Sequence, residues 1–221
     1  MRLISFFAVI GALGAIVGAR FGADIASASL PDAGSHGAWY ASRAAGVASY
    51  LFLWVGIVGG LLMSSAWFDG LVGRAKLLAI HQSASITGVA LGLGHALVLI
   101  PDGWTSFGVI DLFVPFASYY KPLFAAVGTL SLYLAAVVTF SFWFRSAIGA
   151  RAWKMLHYAS FLAFAGALWH GVMIGTDSRE LWLLGIYLAT SMSIVFGVVV
   201  RITYIRPSVK RKTSVEATSP A

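Results

Sequence analysis

Four histidines stand inside long apolar stretches of a 221-residue chain that is 59% hydrophobic and 10% charged. His81 and His95 bracket the segment HQSASITGVALGLGH, and His157 and His170 lie thirteen residues apart further along. An imidazole in lipid or tightly packed protein is costly without a partner, so each of the four needs one. At a rise of about 1.5 Å per residue each pair spans roughly 20 Å of helix, most of an about 30 Å hydrocarbon core. On two helices running in the same direction, the four side chains fall at two depths with two at each. One histidine from each helix at equal height makes a bis-imidazole metal site, His81 with His157 and His95 with His170. Haem iron suits that ligand set best, because bare zinc or copper takes three or four protein ligands and no carboxylate or thiol lies at either depth.

The rotational positions are less even. On an ideal helix fourteen residues bring His95 to within about 40° of His81, whereas thirteen leave His170 about 140° from His157. The second of these helices must tilt, kink or present two flanks, and Gly166 offers a site for a kink. Gly88, Gly92 and Gly94 fit either the close approach of a flat macrocycle or plain helix packing. The bland alternative is four core histidines hydrogen-bonded to backbone or to Ser83, Ser85, Thr87 and Ser160.

The elements that carry these residues are those of an all-α, polytopic membrane protein. Mean hydropathy is +0.86, and the 10% of charged residues compares with about 25% in soluble chains. Hydropathy gives six stretches of spanning length: about Leu3 to Val17, Ala44 to Trp67, Leu77 to Ile100, Leu123 to Phe144, Met155 to Ile174 and Leu181 to Ile202. Residues 1–205 thus form one six-helix bundle, and residues 206–221, with PSVKRKTSVEATSPA, read as a disordered basic tail. The first stretch has a second reading, a signal peptide cleaved after the ASA of Ala26 to Ala28. FFAVIGALGAIVGA, between Arg2 and Arg20, is just long enough to span and favours a retained helix.

With the N-terminus inside, 11 of the 15 Lys and Arg residues fall on the cytoplasmic side, and Arg20, Arg43, Lys121 and Arg179 fall outside. The positive-inside rule then places both termini in the cytoplasm, with His81 and His157 near the inner face and His95 and His170 near the outer one. This collar accounts for the net charge of +7, so no nucleic-acid partner is implied. The lack of cysteine excludes thiolate ligands, iron–sulfur clusters held by this chain, c-type haem attachment and disulfides. His36 falls in a first outer loop from Arg20 to Arg43. The aromatic outer segment from Pro101 to Pro122 is expected to lie along the lipid interface as a short amphipathic cap. Short turns at Phe68 to Lys76 and Arg145 to Lys154 make helices two and three, and four and five, antiparallel neighbours.

A histidine pair fourteen residues apart on the third helix and one thirteen apart on the fifth resemble the ferric reductase-like transmembrane domain, the six-helix haem module of NADPH oxidases, ferric reductases and smaller bacterial relatives. The likeness spans roughly Ala41 to Arg201. It implies that His81 and His157 ligate an inner b-type haem and His95 and His170 an outer one, in a bacterial cytoplasmic membrane. In ASRAAGVASYLFLW, Arg43 takes the place of a family arginine at the outer start of helix two. There it pairs with a haem propionate or an anionic substrate, or else snorkels to the interface. Phe164, midway along helix five, lies between the haems in this comparison or packs the core. Oxidases and reductases of the family continue into FAD- and NADPH-binding domains; here roughly twenty residues follow helix six, with no glycine-rich dinucleotide fingerprint after a strand. Oxygen-reducing members carry a further histidine one turn beyond the outer ligand on helix three, where this chain has Val98.

The expected function is a diheme b-type cytochrome subunit that moves single electrons across the membrane. Its donor is a separate protein, such as a cytoplasmic or membrane flavoprotein, since no FAD or NAD(P)H is expected on this chain. The acceptor near the outer haem is a ferric complex, a quinone or a partner protein, and the reverse direction is also allowed. The chain is then the electron-transfer subunit of an oxidoreductase, with no catalytic residue of its own. The rival is a haem-free transporter or a structural subunit of a larger membrane complex, its histidines relaying protons, binding metal or packing. Proton relays mix Asp, Glu and His, and transporters often break helices with proline at the midplane. No carboxylate and none of the six prolines lies inside a spanning stretch.

Overall fold

The computed structural model describes residues 33–65, 73–101 and 106–203. The expected first helix from Leu3 to Val17, the ASA site, most of the turn from Phe68 and the basic tail lie outside the described residues. Among the described residues the chain is helical with no strand: α1 (Ala33–Ser64), α2 (Arg74–Leu97), α3 (Val109–Phe113), α4 (Pro122–Phe140), α5 (Arg145–Ile148), α6 (Ala150–Ile174) and α7 (Leu181–Thr203). A 3-10 turn at Ser141–Phe144 joins α4 to α5.

Four stretches are long and apolar enough to cross a membrane: His36–Ser64, Arg74–Leu97, Pro122–Ile148 and Leu181–Thr203. In lipid every main-chain polar group must be bonded within the segment, which a continuous helix achieves. The 25 residues of α6 suffice in length, but Arg151, Lys154, His157, Tyr158 and His170 make it less apolar and it is not among the four.

Helix boundaries differ from the hydropathy reading in two places. The first outer loop is not one along its whole length, because α1 begins at Ala33 and carries both His36 and Arg43 on the helix. The run AGSHGAWYASRAAGVAS loses hydropathy without losing alanine, the best helix former, and contains no proline, so nothing ends the helix there. The turn from Arg145 to Lys154 is also largely helical, as α5 and α6 meet at Gly149. That residue has a φ of 86°, a left-handed value that glycine adopts without a Cβ clash. Within the outer segment α3 packs on α4, where Thr129 Oγ1 donates to the carbonyl of Leu112 at 2.8 Å and Tyr133 OH donates to that of Phe113. Pro122 opens α4 at a position that needs no N–H donor. Lys121 Nζ donates to the carbonyl of Met173 at 2.8 Å, tying the start of α4 to the end of α6.

The most extensive interface joins α1 to α2, followed by α4 with α6. On α1 the contact residues Ser42, Gly46, Ser49, Leu53, Gly56 and Gly60 advance in steps of four and three, as do His81, Ser85, Gly88, Gly92 and His95 on α2. Gly46 meets His95, Ser49 meets Gly92, Leu53 meets Gly88, Gly56 meets Ser85 and Gly60 meets His81, so the helices are antiparallel. Alternating steps of four and three average 3.5 residues per turn, the period of a left-handed helix pair, and small residues let the backbones close up. Fourteen residues are four whole turns at that period, which puts both α2 histidines in one seam. Between their levels sits a buried cluster of Tyr50, Phe164, Leu183 and Tyr187. Tyr50 stacks on Phe164 at 5.0 Å and meets Tyr187 edge-on at 5.3 Å.

Candidate functional site

The fold brings His81 to His157, with ring centroids 5.9 Å apart, and His95 to His170, 6.2 Å apart. The rings are steeply inclined to each other, at 68° and 82°. All four side chains are half-buried.

Three of the rings are held by main-chain carbonyls of the adjacent helix. Nδ1 of His81 donates to Gly56 at 2.6 Å, Nδ1 of His95 to Ser42 at 2.7 Å and Nδ1 of His170 to Phe124 at 2.9 Å. A carbonyl can only accept, so Nδ1 carries the proton and in the neutral ring Nε2 keeps the lone pair. Ser42 grips His95 a second time: its Oγ lies 2.9 Å from Nδ1 and donates to the His95 carbonyl at 2.9 Å. Ser85, a candidate partner for the rings, instead donates to the main-chain carbonyl of His81 at 2.8 Å.

His157 is held differently. Among the described residues its buried Nδ1 has no hydrogen-bond partner. Its ring stacks on Trp153, one turn earlier, at 5.0 Å and 22°, and the buried Nε1 of Trp153 also lacks a partner among the described residues.

The α4–α6 seam explains the difference. On α4, Phe124, Gly128, Ser131 and Ala135 follow steps of four and three, and on α6 His170, Gly166 and Ala163 follow the same steps in reverse. Gly128 sits so close to His170 that a Cβ there would overlap the imidazole, Gly166 sits as closely against Ser131, and Ala135 joins Ala163 in a buried cluster. Continued past Ala163, that register reaches Ala159 and Leu156. His157 is one position off it, about 100° around the helix. The α6 helix runs unbroken from Ala150 to Ile174, so the thirteen-residue spacing is met by using two flanks, and Gly166 serves close packing against Ser131. Gly88 and Gly92 likewise serve the α1–α2 seam, against Leu53 and Ser49, while a Cβ at Gly94 would meet nothing within 4 Å among the described residues.

His157 and His81 line a cavity of about 770 Å³, together with Gly56, Gly60, Trp153 and Phe164. Arg145, Lys154 and Arg201 also line it and make that end of the bundle cationic. At the other end Arg43 forms an ion pair with Asp177 and lies over the ring of Trp39, 4.3 Å from its centroid. Its charge is balanced within the chain, by a carboxylate of the short α6–α7 turn. Arg43 and Asp177 also border a second cavity of about 380 Å³ with Tyr40, Val47, Leu51 and Trp182.

Among the described residues no three His, Asp or Glu side chains gather as a metal-binding group. Each level offers two imidazoles, which can hold a metal only if it brings its other ligands with it. The chain matches no family model, no curated protein and no solved structure.

The histidines themselves are plain in the sequence, but their supports are not. Ser42, Gly56 and Phe124 act through carbonyl oxygens, which any residue possesses. Gly46, Gly60 and Gly128 act by lacking a side chain. For Ser42, Gly46, Gly56 and Gly60 the signal that could have found them is the four-three spacing of small residues along α1, which runs in register with His81 and His95.

Proposed function

We propose that this chain is the haem-carrying membrane subunit of an electron-transfer oxidoreductase, with His81 and His157 holding one b-type haem and His95 and His170 a second. Held by two histidines at each level, such a group would supply a one-electron carrier suited to outer-sphere transfer. The observation that carries the reading is the separation of the paired rings. A metal–imidazole bond of about 2.0–2.1 Å on each side, plus about 1.1 Å from nitrogen to ring centre, puts two axial imidazoles about 6.3 Å apart. The 5.9 and 6.2 Å between ring centres lie close to that span.

Other features support the same reading. Carbonyls of Ser42, Gly56 and Phe124 orient three rings with Nε2 as the lone-pair nitrogen, as ligating histidines require. Gly46, Gly60 and Gly128 leave room for imidazoles against the neighbouring backbone. The cavity beside His81 and His157 is large enough for a flat macrocycle, and Arg145, Lys154 and Arg201 offer cations to its carboxylates. Tyr50, Phe164 and Tyr187 pack as a buried aromatic layer between the two levels.

In this reading the chain has the six-helix plan of the ferric reductase-like transmembrane domain, with both termini in the bacterial cytoplasm and His81 and His157 on that side. A separate flavoprotein donates electrons, and a ferric complex, a quinone or a partner protein accepts them near Arg43. A pyridine haemochrome assay on purified protein, made with ample haem supply, is expected to give two b-type haems per chain. Protein that binds none would overturn the proposal.

A further inference from the structure

The four imidazoles do not have equal support, and the odd one is His157. His81, His95 and His170 each donate Nδ1–H to a carbonyl of a packed helix. For a ligating histidine that bond fixes the ring and raises the basicity of the other nitrogen, and losing such a partner typically costs about 10–100-fold in metal affinity. His157 Nδ1 has no such partner among the described residues. The cause lies in the thirteen-residue spacing, which turns His157 off the α4 seam where Phe124 supplies the carbonyl for His170. What steadies its ring is the face of Trp153, a contact that resists sliding less than a directed hydrogen bond does. Both side chains border the 770 Å³ cavity that the macrocycle occupies in this reading. At the outer level the rings have no comparable freedom, since Ser42 binds His95 twice and Gly128 cradles His170.

We propose that His157 is the exchangeable ligand, so that the inner level takes a small neutral ligand of the carbon monoxide or nitric oxide class on reduced iron while the outer level does not. The inference rests on the haem reading above. In the exchange the bond from iron to His157 Nε2 breaks and the lone pair returns to that nitrogen. The lone pair on the carbon of carbon monoxide forms the new bond, iron stays ferrous, and no proton or electron moves.

The test uses the full chain with its bound haem, reduced with dithionite and titrated with carbon monoxide while the absorption spectrum is followed. The expected result is a spectral change in one of the two haems, with the other unchanged at saturation. Two Trp153 variants tie that change to His157. Trp153→Ala removes the stack and is expected to tighten carbon monoxide binding by about 10-fold. Trp153→Glu places an acceptor one turn before His157, within reach of Nδ1 on the same helix face, and is expected to weaken it by about 10–100-fold. No response from protein carrying two haems, an equal response from both, or a response that neither variant moves would overturn the inference and leave the haem reading standing. A haemochrome assay on the same sample that finds no haem brings down both.

Discussion

The His95–His170 pair, outer in the proposed topology, and the inner His81–His157 pair use the same side chains at nearly the same separation, 6.2 and 5.9 Å, on the same two helices. The outer pair is clamped from both sides, by Ser42 of α1 on His95 and by Phe124 and Gly128 of α4 on His170. The inner pair is clamped from one side, by Gly56 of α1 on His81, while His157 leans on Trp153 beside a large cavity. One residue of spacing accounts for this. Fourteen residues return to the same seam at 3.5 per turn, and thirteen do not. Identical side chains can thus be given unequal rigidity by register alone, with no change in residue type.

Space around the rings offers the strongest way to break the comparison. Gly128→Ala puts a methyl group where the His170 ring lies, whereas in Gly60→Ala the new Cβ stays 3.4 Å from His81, an ordinary contact. On the haem reading, the first is expected to lower occupancy of the His95–His170 haem at least about 10-fold, the scale on which disturbed ligand support acts. The second is expected to leave inner occupancy within about 2-fold. Haem per chain, with the spectrum identifying which component is missing, checks both. Equal losses would mean that the two levels are equally tight.

Tyr50→Phe probes the layer that both levels share. Its hydroxyl pairs with Thr190 inside the core cluster, and deleting it is expected to cost about 1 kcal/mol of stability, as a buried hydrogen bond typically does. Thermal unfolding in detergent would measure the loss, and both haem components should survive it. The smallest effect is expected from Arg43→Gln, which breaks the ion pair with Asp177. Both side chains are more than a quarter exposed, at 28% and 29%, and such pairs contribute about 0–1 kcal/mol. A stability change that shrinks with added salt, with haem content unaltered, is the expected outcome.

Much of this was legible in the sequence. The apolar runs mark five of the long helices, and the histidine spacings mark which residues would meet across them. Helix ends were harder to read, because hydropathy reports where lipid can be and not where a helix stops. At Ala33 to Arg43 an alanine-rich run carries α1 some ten residues further out than its apolar part, and at Gly149 a single residue does the work assigned to a whole turn. The ring supports were not read, since they are carbonyls and missing side chains. Sequence leaves Arg43 between a ligand and the interface, and the structure adds an ion pair with Asp177, a partner brought in by the α6–α7 turn and distant in sequence.

The most direct test is the reduced-minus-oxidised optical spectrum of four single variants, His81→Ala, His95→Ala, His157→Ala and His170→Ala. The account predicts two low-spin b-type components, one lost in His81→Ala and in His157→Ala, the other lost in His95→Ala and in His170→Ala. Losses that follow the helices, pairing His81 with His95 and His157 with His170, or a spectrum with no haem to lose, would contradict it.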